Sequence, residues 1–467
     1  MIRMKTISVI IPVYNVQDYI SDCLDSLLNQ KTSFDEIVII DDGSTDESGA
    51  ICEAYADKYS IISYYKQKNM GAAKARNKGV KLSKGDYVCF VDADDMVSPA
   101  CCEVLKKTLE HNMCDVIYFS SDITGNKNSG ITISHDAYKR PKELCNEVMT
   151  GVAALKKTFP NDFIMSACFE CVKKSVLVSK KIEFLDGNVY EDRLYSLKLI
   201  TESEKVLFIE DTLYIRRFRK DSISTTAPSV QKMCDAMYSH KREWEYLKQS
   251  NQWQFNEKFL IKYALSSVQM YFSEYTNTGN DMELDCKYAE MFEQQWKPEI
   301  RYEYLGVDEA CSLLHLINVM ENKWHIHMNF NSERVRKLLD EQTRDWLTSV
   351  FENVSSIIVY GVGEHTKSLI RLLDKYEISI DNISYMVTEK QQDNELMSVS
   401  ELRQNLIDQT DLFIPSSKRF QGEMIDNLLV HGVPETKICR LYAPYNESDL
   451  VMIVNTLEEA IHNEMEK

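Results

Sequence analysis

The chain holds no run of about 18 apolar residues, the length a membrane-crossing helix needs, so no transmembrane span is expected. Its first residues, MIRMKTISVIIPVYN, have the basic start and short apolar run of a secretory leader. Pro12, Tyr14 and Asn15 end that run, however, and no small-residue cleavage site follows, so the segment reads as a buried first strand. Internal repeats and low-complexity tracts are absent. Positive charge is in deficit: 54 Lys and Arg against 72 Asp and Glu give a net charge of −18. That argues against general nucleic-acid binding and makes any anionic ligand depend on a local basic patch or a bound cation. Cysteine is plentiful, at 13, but the number is odd and shows no framework spacing. Cys23, Cys52, Cys89 and Cys114 sit in apolar runs, as reduced thiols of a cytoplasmic protein would. Cys168 and Cys171 form a lone C-x-x-C without the second pair a zinc site requires.

With 467 residues the expectation is about three domains. Over the first hundred residues strands and helices alternate. Ile7–Pro12 is a continuous apolar strand, and Val16, Tyr19, Ile20, Cys23, Leu24, Leu27 and Leu28 then recur at helical spacing. Ile37–Ile40 is a second strand ending in Asp41-Asp42-Gly43-Ser44, where Ser44 or Thr45 can cap a helix running to about Lys58. Residues 61–65 and 86–91 supply two more strands. This order predicts a mostly parallel sheet buried between helices, with ligands bound beyond the carboxyl ends of the strands. Beyond Asp115 the pattern is irregular, with a strand near Val116–Phe119 and a polar turn at Gly125–Gly130. From Pro228 to about Phe351 it is helical and aromatic (Trp244, Tyr246, Trp253, Phe255, Phe259, Tyr263), which fits a packed helical module or, more sharply, a sugar-stacking surface. A Rossmann-like pattern begins at Ser356–Gly363 and ends in a helix around Leu450–Ile461. Gly361-Val362-Gly363 is followed by Thr366 where a dinucleotide fingerprint wants its third glycine. Glu389 comes late for its acid, so dinucleotide binding is doubtful.

The densest chemical signal is GDYVCFVDADD, a strand ending in Asp92, Asp94 and Asp95. Two carboxylates about 4 Å apart repel by roughly 4 kcal/mol at an effective dielectric near 20. A hard divalent cation is the simplest compensation, and such ions commonly share their shell with substrate phosphates. A solvated acidic turn before a helix near Ser98-Pro99 is the bland alternative.

ISVIIPVYN, IVIIDDGSTD, NMGAAKARNKG, GDYVCFVDADD and YEDRLYS occur in this order, and together they make the first 225 or so residues resemble glycosyltransferase family 2. The resemblance implies a GT-A fold in residues 1–225, and the hydrophobic pattern beyond it predicts a helical module (226–350), a Rossmann-like α/β domain (351–445) and a C-terminal helix (446–467). It also implies sugar transfer from a nucleoside diphosphate donor with inversion. By that similarity Pro12, Tyr14 and Asn15 frame the nucleobase, and Asp42, with Asp41, accepts from a ring N–H, which favours uracil; an Asx turn is the alternative. Asn69, Gly71 and Arg76 belong to a segment where glycine permits close backbone approach at a helix start facing anions. Asp92, Ala93 and Asp94 match the D-x-D signature: Asp94 coordinates Mn²⁺ or Mg²⁺, Asp92 meets ribose or metal-bound water, and Asp95 supports them. An extended segment would put Asp92 and Asp94 on one side. Asp192, beside Glu191, is the base by the same similarity, though both acids also suit a helix N-terminus. Arg217 and Arg219, in a basic stretch ending at Ser222-Ile223, could close over the diphosphate.

The resulting expectation is a UDP-hexose or N-acetylhexosamine donor and a glycan or lipid-linked acceptor in bacterial surface polysaccharide synthesis. Peripheral membrane attachment through Lys156-Lys157, Lys173-Lys174 or Lys180-Lys181 and a homo-oligomer are left open, as is solvation of those lysines. The rival readings are a sugar nucleotidyltransferase, whose glycine-rich basic N-terminal loop is missing, and a non-catalytic scaffold.

Overall fold

The computed structural model describes residues 5–125, 138–159, 164–187, 190–219, 229–249, 263, 310, 313–314, 332–388, 396–417 and 421–439. The expectations for the turn beyond Gly125, for Lys220–Ile223, for Trp253, Phe255, Phe259 and Glu389, and for the helix Leu450–Ile461 lie outside them. The chain divides into two compact units, Met1–Gln254 and Phe255–Lys467.

In the first unit, β1 (Ile7–Val13), β2 (Glu36–Asp41), β3 (Ile62–Lys66) and β4 (Tyr87–Phe90) alternate with α1 (Ile20–Leu28), α2 (Ser48–Lys58) and α3 (Ala72–Leu82). Residues Ile7 through Ile11 are wholly buried, because helices cover both faces of the sheet here. Gly79 of α3 lets the helix lie close on β1: a Cβ there would sit 2.3 Å from Ile10 Cγ2. The parallel expectation holds for β3-β2-β1-β4. Beyond β4 it needs correction, for the nine-stranded sheet is mixed. A turn reverses the chain into β5 (Met96–Val97), which runs antiparallel to β9 (Val206–Phe218). Helix α4 (Cys101–His111) follows, and then β6 (Val116–Gly125), β7 (Val148–Met149), α5 (Gly151–Thr158), β8 (Glu170–Lys173), α6 (Lys174–Lys180) and α7 (Glu191–Glu202). β8 inserts antiparallel between β4 and β6, while β6 runs parallel to β9.

The cap expected of Ser44 or Thr45 is also corrected. Helix α2 begins at Ser48 without a side-chain cap, and the Ser44 and Thr45 amides donate instead to Asp41 Oδ1 (2.8 Å) and Asn15 Oδ1 (2.9 Å). Helix α8 (Val230–Gln249) closes the first unit, packing on α7. Trp244 is buried in it, and Tyr246 bonds Thr201 on α7, so these two aromatics serve packing.

The second unit contains a parallel sheet ordered β12 (Met397–Ser398), β11 (Asn382–Val387), β10 (Ser356–Tyr360), β13 (Leu412–Pro415), which is the order of a Rossmann half. Its core gathers Ile358, Tyr360, Met386, Phe413 and Leu428. Ile438 joins the edge of this sheet through a single parallel bridge to Phe413. Thr366 donates to the Gly361 carbonyl at 3.0 Å and lies 2.6 Å from Ser416 Oγ, filling the place of the third glycine. Among the described residues no helix is long and apolar enough to cross a membrane.

Candidate functional site

Three loops meet beyond the carboxyl ends of β1, β2 and β3. Asn15, at φ 50°, turns β1 outward, with its amide donating to Ser44 Oγ at 3.3 Å. Asp41 and Asp42 are both buried. Asp41 accepts from the Ser44 amide and from Tyr64 Oη (2.7 Å). Asp42 accepts from Gln67 Nε2 (2.8 Å), the Met70 amide (2.9 Å) and the Gly71 amide (2.7 Å). The DD pair therefore organises the loop 67–71. A carboxylate offers about four lone-pair sites, so Asp42 retains capacity for one further donor. Gly43 and Gly71 are at φ 79° and 90°, and a Cβ on Gly43 would lie 2.9 Å from the Asn69 amide. On this rim Tyr14, Asn15, Asn69, Met70 and Gly71 are exposed, and Pro12 is half-buried.

Five residues along α3 from Gly71, the buried Arg76 joins elements distant in sequence. Its Nη2 donates to Asp92 Oδ1 at 2.6 Å and its Nη1 to Glu191 Oε1 at 2.5 Å, over the Phe184 ring. Burial alone would weaken the guanidinium's hold on its proton, but Asp92 and Glu191 more than compensate and push its pKa above the ordinary value. For Asp92, burial opposes ionisation, and Arg76 overcomes it and holds the carboxyl below its usual range. Asn77 clasps the Phe184 backbone through both amide atoms (3.0 and 3.1 Å), fixing the segment that leads to α7. Asp192 opens α7 beside Glu191. Burial first, and then the Glu191 charge, push its carboxyl up to about 7, against Arg76 and Arg193. Among the described residues no hydrogen bond ties it down.

The D-x-D segment is a turn: the Asp95 amide donates to the Asp92 carbonyl at 3.0 Å. The extended geometry expected for Asp92 and Asp94 is thereby corrected, since reversing from β4 into β5 needs a turn whose centre is the buried Ala93 and Asp94. The carboxylates then take separate partners. Asp94 Oδ2 accepts from Arg219 Nε at 2.7 Å. Asp95, buried, accepts from Tyr214 Oη (2.7 Å) and the Arg217 amide (2.6 Å). Burial, then Asp92 and Asp94, raise its pKa to about 8. Arg217 also bonds Asp22 at 2.8 Å, and both guanidinium groups lie over the Tyr19 ring, 5.2 and 5.3 Å from its centre. The basic strand end thus reaches the acidic turn.

A divalent cation asks for hard oxygen ligands. Asp94 fits, because no described residue donates to its Oδ1 and it is only half-buried, so a cation sharing substrate phosphates could be held there. Asp95 spends both oxygens on protein donors and suits a supporting role. Among the described residues no group of three or more metal-binding side chains converges. One lysine of each pair considered for membrane contact faces an acid: Lys157 with Glu147, Lys173 with Asp115, Lys180 with Glu202. Sequence reasoning missed Gln67, Tyr214 as a bridge to Asp95, and Glu243. Gln67 could have been suspected from its place two residues before Asn69; the other two carry no local signal.

Residues 8–178 match the family model described as "Glycosyl transferase family 2". "Glycosyltransferase GlyG" of Streptococcus pneumoniae serotype 4 is 31% identical over 226 residues, covering 48% of this chain and 74% of that relative. "Glycosyltransferase GlyA" of the same organism is 32% identical over 249 residues, covering 50% of this chain but only 33% of its own length. The chain therefore spans about a third of one such relative and three quarters of the other. Among solved structures, Staphylococcus aureus TarS 1–349 in complex with UDP-GlcNAc is 20% identical with a TM-score of 0.46, covering 73% of this chain and 84% of that one.

Proposed function

Because the chain belongs to glycosyltransferase family 2, we propose that it is a metal-dependent inverting transferase. It moves a hexose or N-acetylhexosamine from UDP to a hydroxyl of a glycan or lipid-linked acceptor in bacterial surface polysaccharide synthesis. The observation that carries this reading is Arg76, which bonds both Asp92 at the donor end and, 115 positions from itself in sequence, Glu191, next to Asp192.

In this reading Pro12, Tyr14, Asn15, Asn69 and Gly71 wall the nucleobase, and the remaining capacity of Asp42, backed by Asp41, takes a ring N–H such as that of uracil. Asp94 and Asp92 would hold Mn²⁺ or Mg²⁺, with Asp95 behind them. The chemistry such an ion supplies is compensation of negative charge on the departing diphosphate. Arg217 and Arg219 cover the phosphates and exclude water. Asp192 accepts the acceptor's proton, and a carboxyl titrating near neutrality suits that task. The base must be ionised, so turnover falls as pH drops through about 7, roughly tenfold between pH 8 and pH 6.

The test is UDP release by the full chain from UDP-glucose, UDP-galactose and UDP-N-acetylglucosamine, with Mn²⁺ or with EDTA. Asp94→Ala is expected to abolish metal-dependent turnover. Asp192→Asn is expected to slow transfer ~10²–10⁴-fold with UDP affinity retained. Wild-type rates from Asp192→Asn would remove the base. Failure to bind any nucleotide would favour a scaffold, and pyrophosphate release from UTP and a sugar phosphate would favour a nucleotidyltransferase.

A further inference from the structure

Helix α8 lies beyond the residues that match the family model, yet it grips α7 along its length. Ser239 Oγ donates to the Tyr190 carbonyl at the start of α7 (3.3 Å), and Tyr246 bonds Thr201 and Glu202 at its end. Between them Arg193 forks onto Glu243, Nε to Oε1 at 2.8 Å and Nη2 to Oε2 at 3.2 Å. Glu243 is fully buried. A buried carboxylate is costly unless paired, and replacing such a pair by apolar side chains often improves stability, so its presence calls for a role beyond stability. Its partner directly follows Asp192. Facing Asp192 are Glu191 and Arg193 from α7, Arg76 from α3, Asp92 from the β4–β5 turn and Glu170 from β8. His240 of α8 faces Arg193 and is kept neutral by burial.

We propose that Glu243 is a positioning residue for Asp192: by clamping Arg193 it fixes the first turn of α7 and limits how much positive charge the base experiences. This rests on the reading of Asp192 as the base. Two consequences are separable. Loosening the clamp tilts the base, and a small misplacement of a reacting group costs up to about 100-fold in rate. Withdrawing one member of the pair changes the local charge, with opposite signs for the two members.

The experiment follows the Asp192 carboxyl by infrared difference spectroscopy against Asp192→Asn, in the full chain without nucleotide, from pH 4 to 9. Glu243→Gln is expected to lower its midpoint by about half a unit to one unit, and Arg193→Gln to raise it comparably; the double variant should return it close to wild type. In UDP-sugar turnover each single variant should lose about 10- to 100-fold in kcat, with donor KM within about twofold. Midpoints that stay put, or that move in one direction for both single variants, overturn the proposal. If Glu243→Gln does not fold, Arg193→Gln carries the test with the opposite sign. Opposite shifts without any change in turnover would uphold the coupling and sink the base assignment instead.

Discussion

Arg76→Lys probes the bridge on which the site depends. Arginine serves two carboxylates at once, with donors 2.6 Å from Asp92 and 2.5 Å from Glu191. Lysine keeps the charge but offers one compact ammonium on a flexible stem, which cannot reproduce a planar fork between two fixed acceptors. A hydrogen bond to a charged group contributes about 1.5–3 kcal/mol, so losing one of the two should destabilise the first unit by that amount. Arg76→Met removes the cation altogether and leaves two partly buried acids facing one another, a loss of about 3–5 kcal/mol. In a domain of this size 1 kcal/mol moves Tm by about 2–4 °C, so calorimetry should place the lysine variant roughly 3–12 °C below wild type and the methionine variant lower still. The methionine variant should also raise the Asp192 midpoint, since Arg76 depresses it. A lysine variant melting with the wild type, or a methionine variant more stable than the lysine one, would refute the assignment of Arg76 as the shared partner.

Two further outcomes follow from packing and burial. Gly151→Ala would put a Cβ 1.5 Å from the Ile200 carbonyl oxygen on α7, backbone that cannot yield, so soluble expression or the circular dichroism melt should suffer by at least about 3 kcal/mol, while Gly363→Ala, which meets no atom within 4 Å, should stay within about 0.5 kcal/mol of wild type. Glu170 is wholly buried and forms no ion pair among the described residues, and burial raises its pKa, so whatever it contributes to stability is full below its unfolded value and lost as pH rises. Glu170→Met should therefore gain about 1–4 kcal/mol in urea unfolding near pH 8 and less near pH 5, and an advantage shrinking toward high pH would contradict this.

The leading half of the sheet could be read from sequence because its strands are buried on both faces. ISVIIPV and EIVIID are unbroken apolar runs, each followed by helical spacing, and their polar ends had to lie on one rim. The later strands carry no such signature. β8 is four residues long and contains a glutamate, and its place between β4 and β6 depends on pairings fixed only by the folded sheet. The D-x-D geometry was misjudged for a related reason: two acids at i and i+2 point the same way in a strand, but the chain must reverse there to enter β5. Asp41 and Asp42 stand out in sequence as an acidic pair at a strand end, but their chief contacts, to Ser44, Tyr64, Gln67 and the amides of 70–71, are tertiary and invisible to spacing. Glu243 lies fifty positions from Arg193, within an ordinary amphipathic pattern, and no local rule singles it out.

Helix α3 also acts as a ruler. Its start is pinned through the Gly71 amide to Asp42, and Arg76 is pinned to Asp92 and Glu191, so about 7.5 Å of helical rise separates the two anchorages. One residue inserted between them would swing the guanidinium about 100° around the axis, away from both acids, while leaving every motif in the sequence intact. The interval between glycine and arginine, more than the identity of any residue inside it, is what this helix cannot change.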